Sequence, residues 1–157
     1  MDKSDVFSKE SQLNARTGGK YDELARNVGK CVFCDLKDKY ILTEKDGMVL
    51  TVNLFPYIDG QMLVIPRRHV ENLDELTEKE IKTSILLSKK AIKVLRKELK
   101  VDGVWLVLRD GGLAGKTVRH LHWNIMPYVD GINTWHYQDI TIAPIDLATK
   151  LRPVFAK

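Results

Sequence analysis

Only two cysteines occur in the 157-residue chain, so no disulfide framework holds it together. They stand as Cys31-Val-Phe-Cys34. In a cytoplasmic chain, which is the expectation here, that spacing fits a metal half-site or a redox pair better than a structural disulfide. Long apolar runs are also missing. Stretches such as Met62–Ile65 fall far short of the ~20 residues that span a bilayer. No charged segment followed by an apolar core opens the chain, so a secretory leader is not expected. Charge of one sign is nowhere concentrated. The 25 basic and 21 acidic residues are interspersed, which argues against a nucleic-acid-binding arm, while the net +4 favours anionic ligands. Internal repeats and low-complexity segments are absent, which excludes a repeat architecture. What remains is 44% hydrophobic and 29% charged, the balance of a globular chain able to bury a sizeable core.

Residues 1–30 read as an N-terminal extension, polar over 1–20 and with a short helix over Tyr21–Val28, ahead of a single domain over 31–157. Strands are predicted at Tyr40–Thr43, Met48–Asn53 and Gln61–Ile65, the first two joined by an Asp46-Gly47 hairpin turn. Thr77-Glu-Lys-Glu80 matches a capping box, Thr at the N-cap and Glu three residues on. Behind it Ile81, Ile85, Ser88, Ile92, Leu95 and Leu99 recur at helical spacing, with Leu87, Ala91 and Val94 widening the stripe, so one long amphipathic helix is expected. Val104–Leu108 and His120–Met126 are the last strands, the second stopped by Pro127, and the tail from Tyr128 reads as mostly irregular. The expected fold is α+β: a five-stranded antiparallel sheet with one long helix packed on a face.

Four histidines occur, and two alternate with apolar residues in Arg119-His-Leu-His-Trp-Asn124. A strand sends His120, His122 and Asn124 to one face and Leu121, Trp123 and Ile125 to the other. Imidazoles in a row pack poorly, because each needs polar partners. Held rigidly and neutral, one of them is a competent nucleophile towards phosphorus. The preceding Gly111–Thr117 segment is glycine-rich and ends in Lys116 and Thr117, a composition that presents backbone N–H groups, a point charge and a hydroxyl to phosphate. It is not a P-loop, since the spacing fails and no helix follows. Cys31, Cys34, His69 and His120 add up to a Cys2His2 set, too widely spaced for a zinc finger, so the tertiary fold would have to assemble it. Free thiols and surface histidines are the other reading of those four. His136, beside Trp135, reads as a surface histidine, and Trp105, Trp123 and Trp135 are too scattered for a base-stacking platform.

Taken together, Cys31-Val-Phe-Cys34, the stretch Asn53-Leu-Phe-Pro-Tyr-Ile-Asp-Gly-Gln-Met-Leu-Val-Ile-Pro-Arg-Arg-His69 and Gly115-Lys-Thr-Val-Arg-His-Leu-His-Trp-Asn124 resemble the histidine triad (HIT) superfamily of nucleotide hydrolases and transferases. The Asn53–Tyr57 wording is most similar to the branch that handles dinucleoside polyphosphates. The resemblance implies that His122 is the nucleophile, attacking an α-phosphate to form a nucleotidyl-histidine. It implies that Asn53 holds the ribose, that Leu54 packs on the base and that Thr117 binds phosphate. It also implies that structural zinc sits on Cys31, Cys34, His69 and His120, and that two copies join their sheets as a homodimer. The expected substrate is an adenosine nucleotide, with no stable nucleic-acid or membrane partner. The chain departs from the pattern at four places: Asn124 replaces the third histidine, Lys116 a glutamine, Arg109 an asparagine and Gln61 a loop histidine. Lys116, Arg109 and Asn124 still offer polar groups to phosphate, but an amide does not titrate near neutral pH. Asn124 therefore suits a transferase or phosphorylase, or alternatively a nucleotide-binding protein with weak or no catalysis.

Overall fold

The structure is a computed structural model that describes residues 27, 29, 31–114, 116–134, 136 and 138–157. The N-terminal extension and its helix therefore lie, except for Asn27 and Gly29, outside the described residues.

The hairpin forms where the sequence places its turn. Asp46 and Gly47 adopt φ of 50° and 75°, the left-handed pair that a two-residue turn between twisted strands requires. They join β1 (Ile41–Lys45) to β2 (Met48–Val52), with Lys45 opposite Met48. Gly60, at φ 88°, then lets the loop pass against the end of the long helix; a Cβ there would lie 2.8 Å from Leu99 Cδ1. That close approach sets the entry of β3 (Met62–Pro66), a strand buried throughout.

Thr77 caps α1 (Glu78–Glu98) as its motif predicts: the hydroxyl accepts from Glu80 N–H, and the Glu80 carboxylate accepts from Thr77 N–H. The face that α1 buries follows the predicted stripe from Leu87 onwards and departs from it in the first turns. Thr83, Ser84, Leu87, Ser88, Ala91, Val94 and Leu95 are buried, whereas Ile81 and Ile85 are 37% and 48% exposed. Small serines let the helix approach the sheet closely. Their hydroxyls cost little to bury because each returns to a carbonyl of the same helix, Ser84 to Ile81 at 2.7 Å and Ser88 to Ser84 at 2.8 Å.

β4 (Gly103–Leu108) and β5 (Trp123–Tyr128) complete an antiparallel sheet of order β1-β2-β3-β5-β4. The last strand differs from expectation at both ends. Pro127 lies inside β5, opposite Val104, beyond the point where β3 still pairs, so its missing N–H costs no bond to that neighbour. At the other end, His120 and His122 precede the strand. Both ladders stop at Trp123, and the His120 carbonyl is taken by the His122 ring. The alternation survives even so: Leu121, Trp123 and Ile125 enter the core, and the histidines take the other side.

The tail is not irregular throughout. Pro144–Phe155 forms a second helix, α2, that packs beside β1 and buries Leu147, Ala148, Leu151 and Phe155. Two prolines disguised it. Pro144 occupies the first turn, where no N–H is needed, and Pro153 the last, where one bond is lost rather than several. Arg152 fastens the helix by donating to the carbonyls of Asp38, Lys39 and Ile41. Both helices cover the same sheet face, and the chemistry-bearing residues lie on the other.

Candidate active site and metal centre

Cys31 and Cys34 sit in a tight turn, closed by Cys34 N–H and Asp35 N–H on the Cys31 carbonyl, that brings the two thiols together. His69 follows the end of β3, and His120 precedes β5. The β3–β5 pairing brings these two distant segments side by side, the His69 and His120 rings 4.8 Å apart. One ligand atom from each of the four residues lies within 4.8 Å of all the others. The sulfur-to-nitrogen separations are 3.6 Å for Cys31–His120, 3.5 Å for Cys34–His120 and 3.3 Å for Cys34–His69. Two ligands at zinc–sulfur and zinc–nitrogen bond lengths and a tetrahedral angle lie about 3.5 Å apart. The four could therefore hold a metal with little rearrangement.

The outer contacts prepare the same nitrogens. A carbonyl only accepts, so His120 Nε2 carries the hydrogen it gives to the Pro66 carbonyl at 2.9 Å, leaving the Nδ1 lone pair towards the thiols. His69 Nε2 approaches the Glu71 carboxylate at 3.4 Å, again with Nδ1 towards sulfur. Arg68, next to His69, forks onto the Glu80 carboxylate at 2.9 Å, tying this loop to the start of α1.

His122 is 7% exposed and has its own carbonyl partner. Its Nδ1 lies 2.9 Å from the His120 carbonyl and must be the protonated nitrogen, so Nε2 carries the free lone pair. Burial pushes its pKa down to about 4; the charges of Lys116, His120 and Arg109 push the same way, against the carbonyl hydrogen bond. Phe33, between the two cysteines, meets the His122 ring edge-on at 5.1 Å and the His120 ring at 6.0 Å.

Phe33 is also a wall of a cleft of about 250 Å³, with Leu36, Tyr40, Val52, Leu54, Phe55 and Leu63 among its other lining residues. Asn53 reaches it with its side-chain oxygen already accepting from Phe55 N–H at 3.1 Å, and Leu54 is 41% exposed there. Asn124 stands beside this cleft, opposite Leu63 in the sheet and on the His122 side of β5. Its partner is Gln61, whose Nε2 donates to Asn124 Oδ1 at 3.2 Å while its Oε1 accepts from Tyr57 N–H at 2.7 Å.

The remaining predicted residues divide. Arg109 and Lys116 are close enough for their charges to act on His122. Lys116, however, gives its ammonium to the Glu71 carbonyl, tying its loop to the one that bears His69. Thr117 is exposed on the turn before His120, and His136 is exposed on a turn closed by its own N–H on the Asn133 carbonyl. Gly115, Trp135 and Tyr137 lie outside the described residues. Glu71 and the Pro66 carbonyl, which contact the His69 and His120 rings, carry no mark in the sequence. Phe33 was legible only as the apolar residue inside the Cys pair.

Residues 36–130 match the HIT domain family. An uncharacterised HIT-like protein of Mycoplasma genitalium is 33% identical over 104 residues, 64% of this chain and 74% of that protein. A bis(5'-adenosyl)-triphosphatase of Dictyostelium discoideum is 36% identical over 76 residues, 48% of this chain and 51% of that enzyme. Among solved structures, a Zn-bound histidine triad family protein from Mycobacterium smegmatis superposes with a TM-score of 0.68 over 80% of this chain and 93% of that one, at 23% identity.

Proposed function

Because the chain belongs to the HIT domain family, we propose that it is a nucleotide hydrolase or nucleotidyltransferase that acts at the α-phosphate of an adenosine dinucleoside polyphosphate. One observation carries this reading. His122 is buried and neutral, with its Nδ1 hydrogen committed to the His120 carbonyl, which leaves the lone pair on Nε2, and its ring meets Phe33, which lines an apolar cleft. That tautomer and that protonation state are what attack on phosphorus needs. The similarity to an adenosyl-triphosphatase supports the substrate class.

In this reading the base enters the cleft over Leu54, and Asn53 offers its side-chain amide N–H to the ribose. Asn124 and Thr117 face the phosphates, and the charges of Arg109 and of Lys116, whose ammonium stays tied to the Glu71 carbonyl, act on them from further off and offset the negative charge of the transition state. His122 Nε2 bonds to the α-phosphorus, the rest of the polyphosphate leaves, and water or inorganic phosphate then releases the nucleotide. Cys31, Cys34, His69 and His120 would hold a structural zinc, which would cross-link the segment bearing the nucleophile. The chain works as a homodimer. The edge strand β4 and the end of β5 expose Trp105 (47%), Leu106 and Tyr128, an apolar edge that a second sheet would cover.

Incubation with diadenosine tetraphosphate, with and without inorganic phosphate, tests the reading. ADP and ATP appear if phosphate is the acceptor, AMP and ATP if water is. Turnover should vanish in His122→Ala; a variant as active as the parent chain refutes the assignment.

A further inference from the structure

Two buried amides in this site leave each other no choice of orientation. Tyr57 N–H can only donate, so the Gln61 atom 2.7 Å from it is the side-chain oxygen. The other end of that amide is then its NH2, which donates to Asn124 across 3.2 Å, so the Asn124 atom that receives it is Oδ1. Asn124 Nδ2 is left as the group turned away from Gln61, on the side of β5 that carries His122. From a single backbone N–H, the flips of both amides are decided.

We infer that Gln61 is a positioning residue that locks Asn124 as a fixed, non-titrating hydrogen-bond donor to the phosphoryl group, and that the site is thereby restricted to nucleotides whose leaving group departs as a stable anion. The inference rests on the reading of His122 as the nucleophile and adds the class of bond that is cleaved. A donor amide stabilises negative charge on the phosphoryl oxygens, yet has no proton to give to a leaving atom. Among the described residues, the other polar groups placed at the site do not supply one either. Arg109 offers a guanidinium and Thr117 only an alcohol, and the Lys116 ammonium is tied to the Glu71 carbonyl.

The bond changes balance without an acid. The Nε2 lone pair forms the nitrogen–phosphorus bond. The bridging phosphorus–oxygen bond breaks, and its electron pair leaves on a polyphosphate oxygen that is stable unprotonated. The Nδ1 hydrogen stays on the ring, and the positive charge it acquires faces the His120 carbonyl. When water attacks, the nitrogen–phosphorus pair returns to Nε2 and the water proton passes to solvent. An amine or an alkoxide cannot leave this way, because it must be protonated as its bond to phosphorus breaks. The substrates are therefore phosphoanhydrides, and phosphoramidates and simple alkyl esters of nucleotides are excluded.

The test measures kcat and KM on diadenosine tetraphosphate and on an AMP phosphoramidate of a primary amine, for the parent chain, Gln61→Glu and Asn124→His, each with a melting curve. A positioned general acid contributes ~10²–10⁴-fold, so the parent chain should cleave the phosphoramidate at least about 100-fold more slowly than the polyphosphate. Gln61→Glu can accept from Tyr57 N–H but has nothing to donate, which turns Asn124 around and presents an oxygen to phosphate. Its kcat on the polyphosphate should fall about 100-fold with little change in KM. Asn124→His supplies a titratable group and should raise the phosphoramidate rate relative to the polyphosphate rate at least tenfold. Comparable parent rates on both substrates overturn the inference and leave the nucleophile standing, and so does full kcat in a folded Gln61→Glu. Failure of the parent chain on both substrates overturns it together with the reading beneath it. The parent ratio does not depend on either variant folding.

Discussion

His122 owes its tautomer to a carbonyl two residues before it. The hydrogen bond from Nδ1 to the His120 oxygen selects the tautomer, and burial keeps the ring unprotonated. Phe33 supplies the remaining constraint, its ring meeting His122 edge-on while it also walls the cleft. An aromatic pair of this kind contributes ~0.5–1.5 kcal/mol. Phe33→Ala should therefore lower kcat/KM on diadenosine tetraphosphate by about tenfold, through both a higher KM and a lower kcat. Steady-state kinetics check this, and a change confined to KM would limit Phe33 to the cleft. The candidate nucleophile was legible at this scale because alternation alone separates His120, His122 and Asn124 from Leu121, Trp123 and Ile125. Gln61 as the partner of Asn124 was not, because the two are 63 residues apart in the chain.

At the scale of elements, local signals held where neighbours within four residues decide the conformation. The Asp46-Gly47 turn and the Thr77 cap both formed as written. The predicted face of α1 held from Leu87 to Leu99 and failed only at Ile81 and Ile85, because periodicity reports which residues are apolar and not which turns approach a sheet. There the helix buries Thr83 and Ser84 and leaves Ile81 and Ile85 exposed. Glu80 anchors this element. Its pair with Arg68, together with its hydrogen bonds to Thr77, holds its carboxyl down at about 2, against a desolvation cost that acts the other way. A depressed carboxylate contributes stability that is complete above the unfolded value of about 4.5 and is lost as pH falls through about 2. Glu80→Gln should melt below the parent chain at pH 7, and the gap should close between about pH 4.5 and 2. Thermal unfolding across that range reads it; a gap independent of pH would mean that the carboxylate charge contributes nothing. Deeper in the same helix, Leu95 is fully buried, and Leu95→Ala should cost about 2–5 kcal/mol by denaturant unfolding.

Over the whole molecule, the sheet is the assembling device. The register of β3 against β5 carries His69 to His120, and the turn at Cys31 closes the set of four. Because the ligands come from three distant segments, a bound metal ties them together and adds its binding energy to the folded state. Elemental analysis should find about one zinc per chain, and a chelator should lower the melting temperature. A metal-free preparation that melts unchanged would refute a structural metal. Cys34→Ser should act in the same direction as chelation. The exposed edge of β4 makes an independent claim at this scale. Light scattering should give about twice 18.0 kDa, and Leu106→Lys should return the mass to that of one chain. A parent chain that stays at one chain mass at micromolar concentration rules out the dimer.

The amino-acid sequence by itself determined the hairpin, the helix cap and the alternation that sets imidazoles apart from core residues. It also carried the ordered motifs that disclose the family. Each of these depends on side chains a few positions apart or on a motif readable in order. Tertiary structure decided the rest. It exposed Ile81 and Ile85 at the start of α1, kept α2 helical despite two prolines and placed Phe33 against His122. It brought Cys31, Cys34, His69 and His120 to one point and joined Gln61 to Asn124. Those outcomes depend on which strands lie side by side and in what register, and register is fixed by the burial of a whole sheet face rather than by any local signal.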